Sequence, residues 1–404
     1  MVPKWYYLSE MCVSSKHGGG LTLQRILQED LKQFDNFFHL SEFATKEYPI
    51  IEELKARQVN LHQLYPDNGI WSKQIIHFRD RVINKLKLQR YFEMGWEKWD
   101  RKHIRYPAEY LLHNSDVTHS SWLVVPQSIL SIRVLNRVLR HTPIDYITWM
   151  MDDHVIQWNN EKGWYYPEGF EEEFAFHLQN ARKVLVISPT MARFYKTRFG
   201  IDSEVLFGPA DPIGTPVYQS PEPSGPVRLC YFGAIWNWQR DALEVLVRHL
   251  PSLDATLEIF TFHDLPASLQ GGNVRVRPPV PPQEVVPRMR EYDGVVIPAS
   301  FEEGNRGNTE LNISTKMSEC LASGTVTVVI GPEYAAMVQF ARQNGGALVV
   351  SDVRDAAQLA RIRSLKESRF RERLLSEARN TAETICSVEV MRTVWKKCWD
   401  REKE

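Results

Sequence analysis

Short runs of β-branched residues alternate with helix-like segments through the second half of the chain, and this alternation constrains the fold more than any other feature. The runs that we predict as strands span residues 227–232, 257–262, 273–277, 294–298, 325–330 and 347–351. Strands that alternate with helices form parallel sheets, because a crossover helix returns the chain to the edge where the next strand begins. The sequence therefore predicts a Rossmann-like, doubly wound α/β domain over residues 227–380.

The first half carries the same kinds of segment less regularly. Strands predicted at 5–9, 122–125, 145–150 and 183–188, with helices at 171–182 and 191–199, indicate a second Rossmann-like domain over residues 1–207. Residues 208–226 carry six prolines and predict a linker. The apolar spacing of residues 381–404 predicts a final helix that packs back toward the N-terminal domain. The expected fold class is α/β, with two doubly wound domains facing a cleft.

The composition excludes several classes of protein. A net charge of -1 and 25% charged residues are typical of a globular protein and argue against nucleic acid as a partner. The five cysteines lack C-x-x-C spacing, which argues against a disulfide framework or a zinc cluster. The start of the chain lacks the apolar region of a signal peptide, and the most apolar stretch, 122–135, is interrupted by polar residues. We therefore expect a cytoplasmic protein without a membrane span.

A helix predicted within residues 312–324 carries the clearest binding motif. Its apolar residues have helical spacing, while Lys316 and Glu319 share the opposite face, and Ser314 is the predicted N-cap. The helix follows the strand at 294–298, so its first turn lies at the carboxyl edge of a parallel sheet, where such sheets bind ligands. A lysine there indicates an anion such as phosphate. The alternative is an ion pair between Lys316 and Glu319 on a solvated face.

Three segments carry a resemblance to a known family. Tyr-Asp-Gly-Val-Val-Ile-Pro at 292–298, Lys-x-x-Glu at 316–319 and Leu-Ala-x-Gly at 321–324 resemble the donor-site signature of retaining glycosyltransferases of the GT-B fold. The group resembled is the sucrose-synthase-like one, glycosyltransferase family 4. The resemblance implies hexosyl transfer from a UDP- or GDP-sugar to a hydroxyl of a glycan, a lipid-linked glycan or a small molecule. It also implies retained anomeric configuration, no metal, and no cofactor beyond the nucleoside diphosphate sugar as co-substrate.

The resemblance also assigns roles to residues of the second half. Glu319 would bind the ribose and Lys316 the diphosphate, with Ser314 and Thr315 beside them. Gly233 matches the end of the family's first donor-domain strand, and Arg240 is the candidate second cation on the diphosphate. The alternative for Arg240 is an ion pair with a nearby acid of its own helix. Val280 falls where the family's backbone contacts the nucleobase, and Leu311 replaces a glutamate that often contacts the donor sugar, which leaves sugar recognition unassigned.

The first half contributes two candidate features. Gly18, Gly19 and Gly20 lie between a strand and a helix and resemble the GT-B glycine loop, although a triplet of this kind is often only a flexible turn. Asp153 and His154 follow the strand at 145–150 and would orient the acceptor or assist its deprotonation. The alternative is that Asp152 and Asp153 cap a helix. A metal role for this short cluster is less consistent with the GT-B resemblance.

Residues 72–107 carry ten Lys and Arg against four Asp and Glu, with aromatic residues interleaved. This composition is typical of a segment that docks on a membrane or binds a glycolipid, and also of a solvated helix face with its aromatics in the core. Two further functions stay open at this point. One is a nucleotide-sugar epimerase or hydrolase of the same fold, and the other is a non-catalytic sugar-binding protein.

Overall fold

The structure is a computed structural model that describes residues 4–14, 18–28, 30–40, 59–64, 101–153, 169–211, 225–262 and 264–400. The chain divides into two compact units. The first comprises Met1–Leu185 with Tyr195–Glu204, and the second comprises Val186–Phe194 with Val205–Glu404. Each unit contains its own sheet, and both sheets consist of strands that pair in parallel wherever the pairing is defined.

The first sheet has seven strands in the order β3-β2-β1-β4-β5-β6-β7. The strands are β1 Lys4–Ser9, β2 Phe34–His39, β3 Asn60–Gln63, β4 Ser120–Val125, β5 Asp145–Met150, β6 Lys183–Val186 and β7 Glu204–Val205. The helices described in this half of the chain are α1 Gly18–Leu27, α2 Tyr106–Asn114, α3 Ile129–Leu139, α4 Phe170–Asn180 and α5 Pro189–Phe199. On one face of this sheet the buried rings of Tyr6, Phe38 and Trp122 pack together, with 5.2 Å between the Tyr6 and Trp122 centroids.

The second sheet has six strands in the order β10-β9-β8-β11-β12-β13. The strands are β8 Val227–Phe232, β9 Ala255–Phe260, β10 Val274–Arg277, β11 Gly294–Pro298, β12 Val326–Ile330 and β13 Ala347–Val350. The helices that follow are α6 Asn237–His249, α7 Pro282–Met289, α8 Arg306–Leu311, α9 Lys316–Ala322, α10 Ala336–Asn344, α11 Ala356–Ala360, α12 Ser368–Thr381 and α13 Val388–Trp399. Aliphatic residues of β8, β9 and β12 form the centre of its core, together with Leu243 and Leu246 of α6.

The predicted fold class is confirmed, because both units consist of helices connecting parallel strands. The bounds of β5, β8 and β11 agree with the sequence prediction at both ends. The prediction missed β2, β3 and β7. Asp35 and Asn36 interrupt the apolar run of β2, and all four residues of β3 are polar or partly exposed, so neither strand carries a strong pattern.

Other predictions concern how the two units are arranged, and they stay predictions. These are the facing cleft, the linker over 208–226, of which residues 212–224 lie outside the described ranges, and the direction in which residues 381–404 pack. All five cysteines are buried, and none is in a disulfide. Within the described ranges, no helix has the length and apolarity needed to cross a bilayer.

Candidate functional site

Both sheets contain a point where the chain reverses the direction in which strands are added. In the second sheet, the chain runs from β8 outward to β9 and β10, and then returns to place β11 on the other side of β8. Open α/β sheets bind ligands beyond the carboxyl ends of the strands at such a switch point. Gly233 follows β8 directly, and the segment after β11 leads to Lys316 on α9. The strongest sequence candidates therefore lie at the expected place.

The amine of Lys316 packs against the backbone at Gly233. A Cβ atom at Gly233 would lie 2.9 Å from Lys316 Cε and closer still to Nζ, and Gly233 has a φ of +120°, which L side chains rarely adopt. The same Nζ lies 5.1 Å from the centre of the Tyr231 ring. Only glycine permits this approach at the end of β8. Two segments far apart in sequence are thus brought together by the tertiary structure.

Lys316 is partly buried and makes no ion pair with any residue that the structure describes. The alternative ion pair with Glu319 is therefore not formed, although both residues lie in the first turn of α9. Burial lowers the pKa of Lys316, while Cys320 and Glu319 act in the opposite direction. The charged form of a desolvated lysine without an ion pair is stabilised when an anion binds beside it.

Helix α9 begins one residue later than predicted. Thr315, not Ser314, is the N-cap, and its side chain makes no capping hydrogen bond. The Ser314 side chain still accepts a hydrogen bond from the Lys316 N–H at 3.3 Å, and its carbonyl accepts from the Met317 N–H at 2.9 Å. The N-cap prediction for Ser314 is wrong by one position, because the hydrogen bonds of Ser314 belong to the turn that precedes the first helical residue. Ser314 and Thr315 nevertheless adjoin Lys316, as the motif requires.

Arg240 lies in the first turn of α6 and is exposed. The two acids proposed as its alternative partners are engaged elsewhere. Asp241 accepts a hydrogen bond from the Phe301 N–H at 2.7 Å, and Glu244 accepts one from the Ser268 hydroxyl at 2.6 Å. Arg240 has no ion-pair partner among the described residues. Its guanidinium is therefore available to an external anion.

Two further candidate positions of the second unit are Val280 and Leu311. Val280 is partly buried in the connection between β10 and α7. Leu311 is buried at the end of α8, and Glu310 forms an ion pair with Arg306 at 2.8 Å. The glutamate nearest to the family position is thus held by an arginine of its own helix, and donor-sugar recognition stays unassigned.

The three glycines near the N-terminus form the first turn of α1, not a loop. The Gly20 carbonyl accepts a hydrogen bond from the Ser14 N–H at 3.2 Å, and a Cβ at Gly19 would lie 2.5 Å from Met11 Sδ. The expectation of a loop is wrong because the helix begins at Gly18 and Met11 packs against its first turn. The predicted contact of Gly18, Gly19 and Gly20 with a donor stays a prediction.

Two acids follow β5. Asp153 is fully buried, and burial together with the charge of Asp153 raises the pKa of Asp152 to about 7. Both carboxyls also contribute, after burial, to the raised pKa of Tyr195. An acid whose pKa is near neutrality exchanges protons readily at physiological pH. His154 lies outside the described residues, as do the residues that a cap at this position would serve.

The switch point of the first sheet, between β1 and β4, holds an anion supplied by the chain itself. The Glu10 carboxylate accepts hydrogen bonds from the N–H groups of Gln127 and Ser131 at 3.1 and 3.0 Å. It also accepts from the hydroxyls of Ser128 and Ser131 at 2.7 and 2.8 Å. Glu10 therefore satisfies the positive N-terminal end of α3. The sequence reasoning did not identify this residue.

Sequence reasoning also missed a pair of exposed tryptophans beside Gly233. The rings of Trp236 and Trp238 stack with centroids 5.6 Å apart. The signal in the sequence was Trp-x-Trp three residues after Gly233, which follows β8. No group of three or more His, Cys, Asp or Glu within the described ranges is arranged to hold a metal ion. Of the basic segment 72–107, residues 72–100 lie outside the described ranges.

Comparison with known proteins identifies the fold. No family model matches the chain, and no curated protein matches it in sequence. Among solved structures, it is similar over 100% of both chains to a glycosyltransferase from Rickettsia africae, with 12% identity and a TM-score of 0.61. It is similar to Anabaena HepE in complex with UDP and glucose, with 10% identity, coverage of 98% of this chain and 99% of that one, and a TM-score of 0.62.

The chain is also similar to a third solved structure. WaaG, a glycosyltransferase involved in lipopolysaccharide biosynthesis, is 13% identical, with coverage of 97% of this chain and 98% of that one and a TM-score of 0.55. The fold of these three proteins is the GT-B fold, and two parallel-sheet units of seven and six strands agree with it. At such low identity the likeness establishes the fold. The chemistry has to be argued from the residues of this chain.

Proposed function

We propose that this protein is a glycosyltransferase that moves a hexosyl group from a UDP- or GDP-sugar to a hydroxyl group of a glycan, a glycolipid or a small molecule. The observation that carries the proposal is Lys316, a partly buried cation without an ion pair at the switch point of the second sheet. A diphosphate placed there would supply the missing negative charge. Similar folds that bind UDP and glucose, as HepE does, support the proposal.

The residues around Lys316 suit the requirements of this reaction. The bond between the sugar C1 and the diphosphate oxygen breaks, and Lys316 and Arg240 stabilise the negative charge that develops on the leaving group. Glu319 binds the ribose hydroxyls, with Ser314 and Thr315 beside the phosphates, and Val280 contacts the base. Because the two cations supply the charge, the reaction requires neither a metal nor a further cofactor.

The acceptor hydroxyl forms the new bond to C1 and loses its proton. We propose that Asp153 or His154 assists this deprotonation, next to Asp152, whose pKa is raised to about 7. The resemblance to the sucrose-synthase-like group supports retention of the anomeric configuration. Nuclear magnetic resonance of the first product formed would show whether the new linkage keeps the donor's configuration or inverts it.

Calorimetric titration with UDP and GDP tests the donor site. We expect one of them to bind the wild-type chain and Lys316→Ala to weaken binding about 10- to 100-fold, because a hydrogen bond to a charged group contributes about 1.5–3 kcal/mol. The matched control is Lys196→Ala, which removes an exposed lysine paired with Asp202 and should leave binding unchanged. A wild-type chain that binds no nucleoside diphosphate would refute the proposal.

The acceptor is best sought among glycans and glycolipids. The basic residues Arg101, Lys102 and Arg105 continue the positive segment 72–107 into the described part of the chain. We propose that this segment holds a cytoplasmic enzyme at the surface of a membrane, where an anionic lipid or lipid-linked glycan is bound. Sedimentation with vesicles of phosphatidylcholine and phosphatidylglycerol tests this, and equal binding by a variant with the three residues changed to alanine would contradict it.

A further inference from the structure

We propose that Trp236 and Trp238 form a platform on which a pyranose ring of the acceptor stacks, an inference that rests on the proposed function. The two side chains are 48% and 39% exposed, and their ring planes lie 15° apart. Single exposed apolar residues are common on protein surfaces, whereas two large aromatic rings held together in water mark a binding surface.

The backbone that carries the two indoles is fixed. The Trp236 N–H donates to Gln239 Oε1 at 3.3 Å, and the Gln239 N–H donates back to the Trp236 carbonyl at 3.0 Å. The Trp238 carbonyl accepts a hydrogen bond from the Ser300 N–H at 2.9 Å. The connection between β8 and α6 is therefore tied to itself and to the segment after β11. A platform held in this way loses little conformational entropy when a ligand binds.

The platform lies within reach of the proposed donor. Trp236 is three residues from Gly233, so their Cα atoms are at most about 11 Å apart. Lys316 packs against Gly233. The indoles are therefore close enough for a saccharide that presents a hydroxyl to the sugar of a donor held by Lys316 to reach them.

The chemistry of the platform favours a sugar ring. An indole offers a broad apolar face with a negative π surface and an N–H donor at its edge, which matches the C–H face of a pyranose and the hydroxyls around it. A nucleobase would also stack on an indole. The predicted base position, Val280, follows β10, which lies two strands from β8 and hence about 10 Å to the side. The platform is therefore assigned to the acceptor.

An array of pyranosyl oligosaccharides, probed with the full chain in saturating UDP, tests the inference. We expect the wild type to bind a subset of the glycans and Trp236→Ala/Trp238→Ala to bind them at least 10-fold more weakly. Replacement of both residues by phenylalanine should restore most of the binding, because the ring face is kept. His119→Ala is the control, since it removes a largely exposed ring from the connection between α2 and β4, outside the segment 72–107.

Calorimetric titration of the same variants with UDP separates the two proposals. Unchanged UDP affinity together with weakened glycan binding is the expected result. Overturning results are a wild type that binds UDP but no glycan of the array, or equal glycan binding by the wild type and the double alanine variant. Loss of UDP binding by the double alanine variant would assign the indoles to the donor, and a wild type that fails to bind any nucleotide would refute the proposed function instead.

Discussion

The switch points of the two sheets have the same topology, but they differ in whether the chain itself supplies a partner for the charged group there. In the first sheet, Glu10 supplies a carboxylate to the N-terminal end of α3, and four hydrogen bonds satisfy it. In the second sheet, Lys316 lies against Gly233 without an ion pair in the described part of the chain. A switch point that contains its own counter-charge is complete, whereas one that lacks it favours a ligand of opposite charge. This difference supports the proposal that the second unit binds an anion.

The largest effect is expected at the first switch point. Glu10→Ala should lower the free energy of unfolding by about 3 kcal/mol, because it removes several hydrogen bonds to a charged acceptor and leaves the end of α3 unsatisfied. Denaturant unfolding would measure the loss, with the exposed Glu109→Ala as control. A loss below about 1 kcal/mol would mean that Glu10 does not stabilise the N-terminal end of α3.

The close approach at Gly233 should give the next largest effect. Gly233→Ala combines an unfavourable φ with displacement of the Lys316 amine, so we expect about 2 kcal/mol less stability and a loss of UDP affinity. Gly200→Ala, with a φ of +72° and open space around it, isolates the backbone strain. Gly271→Ala has neither feature and should behave as wild type. UDP affinity that survives in Gly233→Ala would separate the glycine from the binding site.

The acidic pair after β5 should appear in the pH dependence of stability. Because the folded pKa of Asp152 is raised to about 7 from 3.8, the folded state binds more protons than the unfolded state between these values. Stability contributed by this group is therefore lost as pH rises from about 4 to about 7. Asp152→Asn should flatten this slope and be more stable than wild type at pH 8, by on the order of 1 kcal/mol. If the melting temperatures of wild type and Asp152→Asn changed equally between pH 4 and pH 8, the raised pKa of Asp152 would be contradicted.

The smallest effect is expected at Arg240. An exposed arginine contributes about 0.5–1 kcal/mol to an ionic contact, so Arg240→Ala should weaken UDP binding roughly two- to five-fold and leave stability unchanged. Arg248→Ala, an exposed arginine at the other end of the same helix, is the control. Equal UDP affinity in the two variants at low salt would remove Arg240 from the site and leave Lys316 as its cation.

Strand prediction succeeded where apolar side chains are continuous. The central strand β11 is buried along its whole length, and β8 is buried at every residue except Arg228, so both form nearly continuous apolar runs that are visible without a structure. Strand β3 lies at an edge and strand β2 beside it, and their polar residues resemble those of loops. The glycines of α1 were misassigned for a related reason, since a glycine triplet alone predicts a turn, and only the structure shows that these residues begin a helix.

The sequence by itself determined the α/β class, the existence of two sheets and the Lys316–Glu319 motif on a helix after β11, because these depend on local periodicity and on the order of elements along the chain. Only the tertiary structure decided that Lys316 meets Gly233 instead of pairing with Glu319, that Glu10 fills the other switch point, and that the tryptophans after β8 are exposed. These features depend on contacts between distant segments and on burial, which no local pattern encodes.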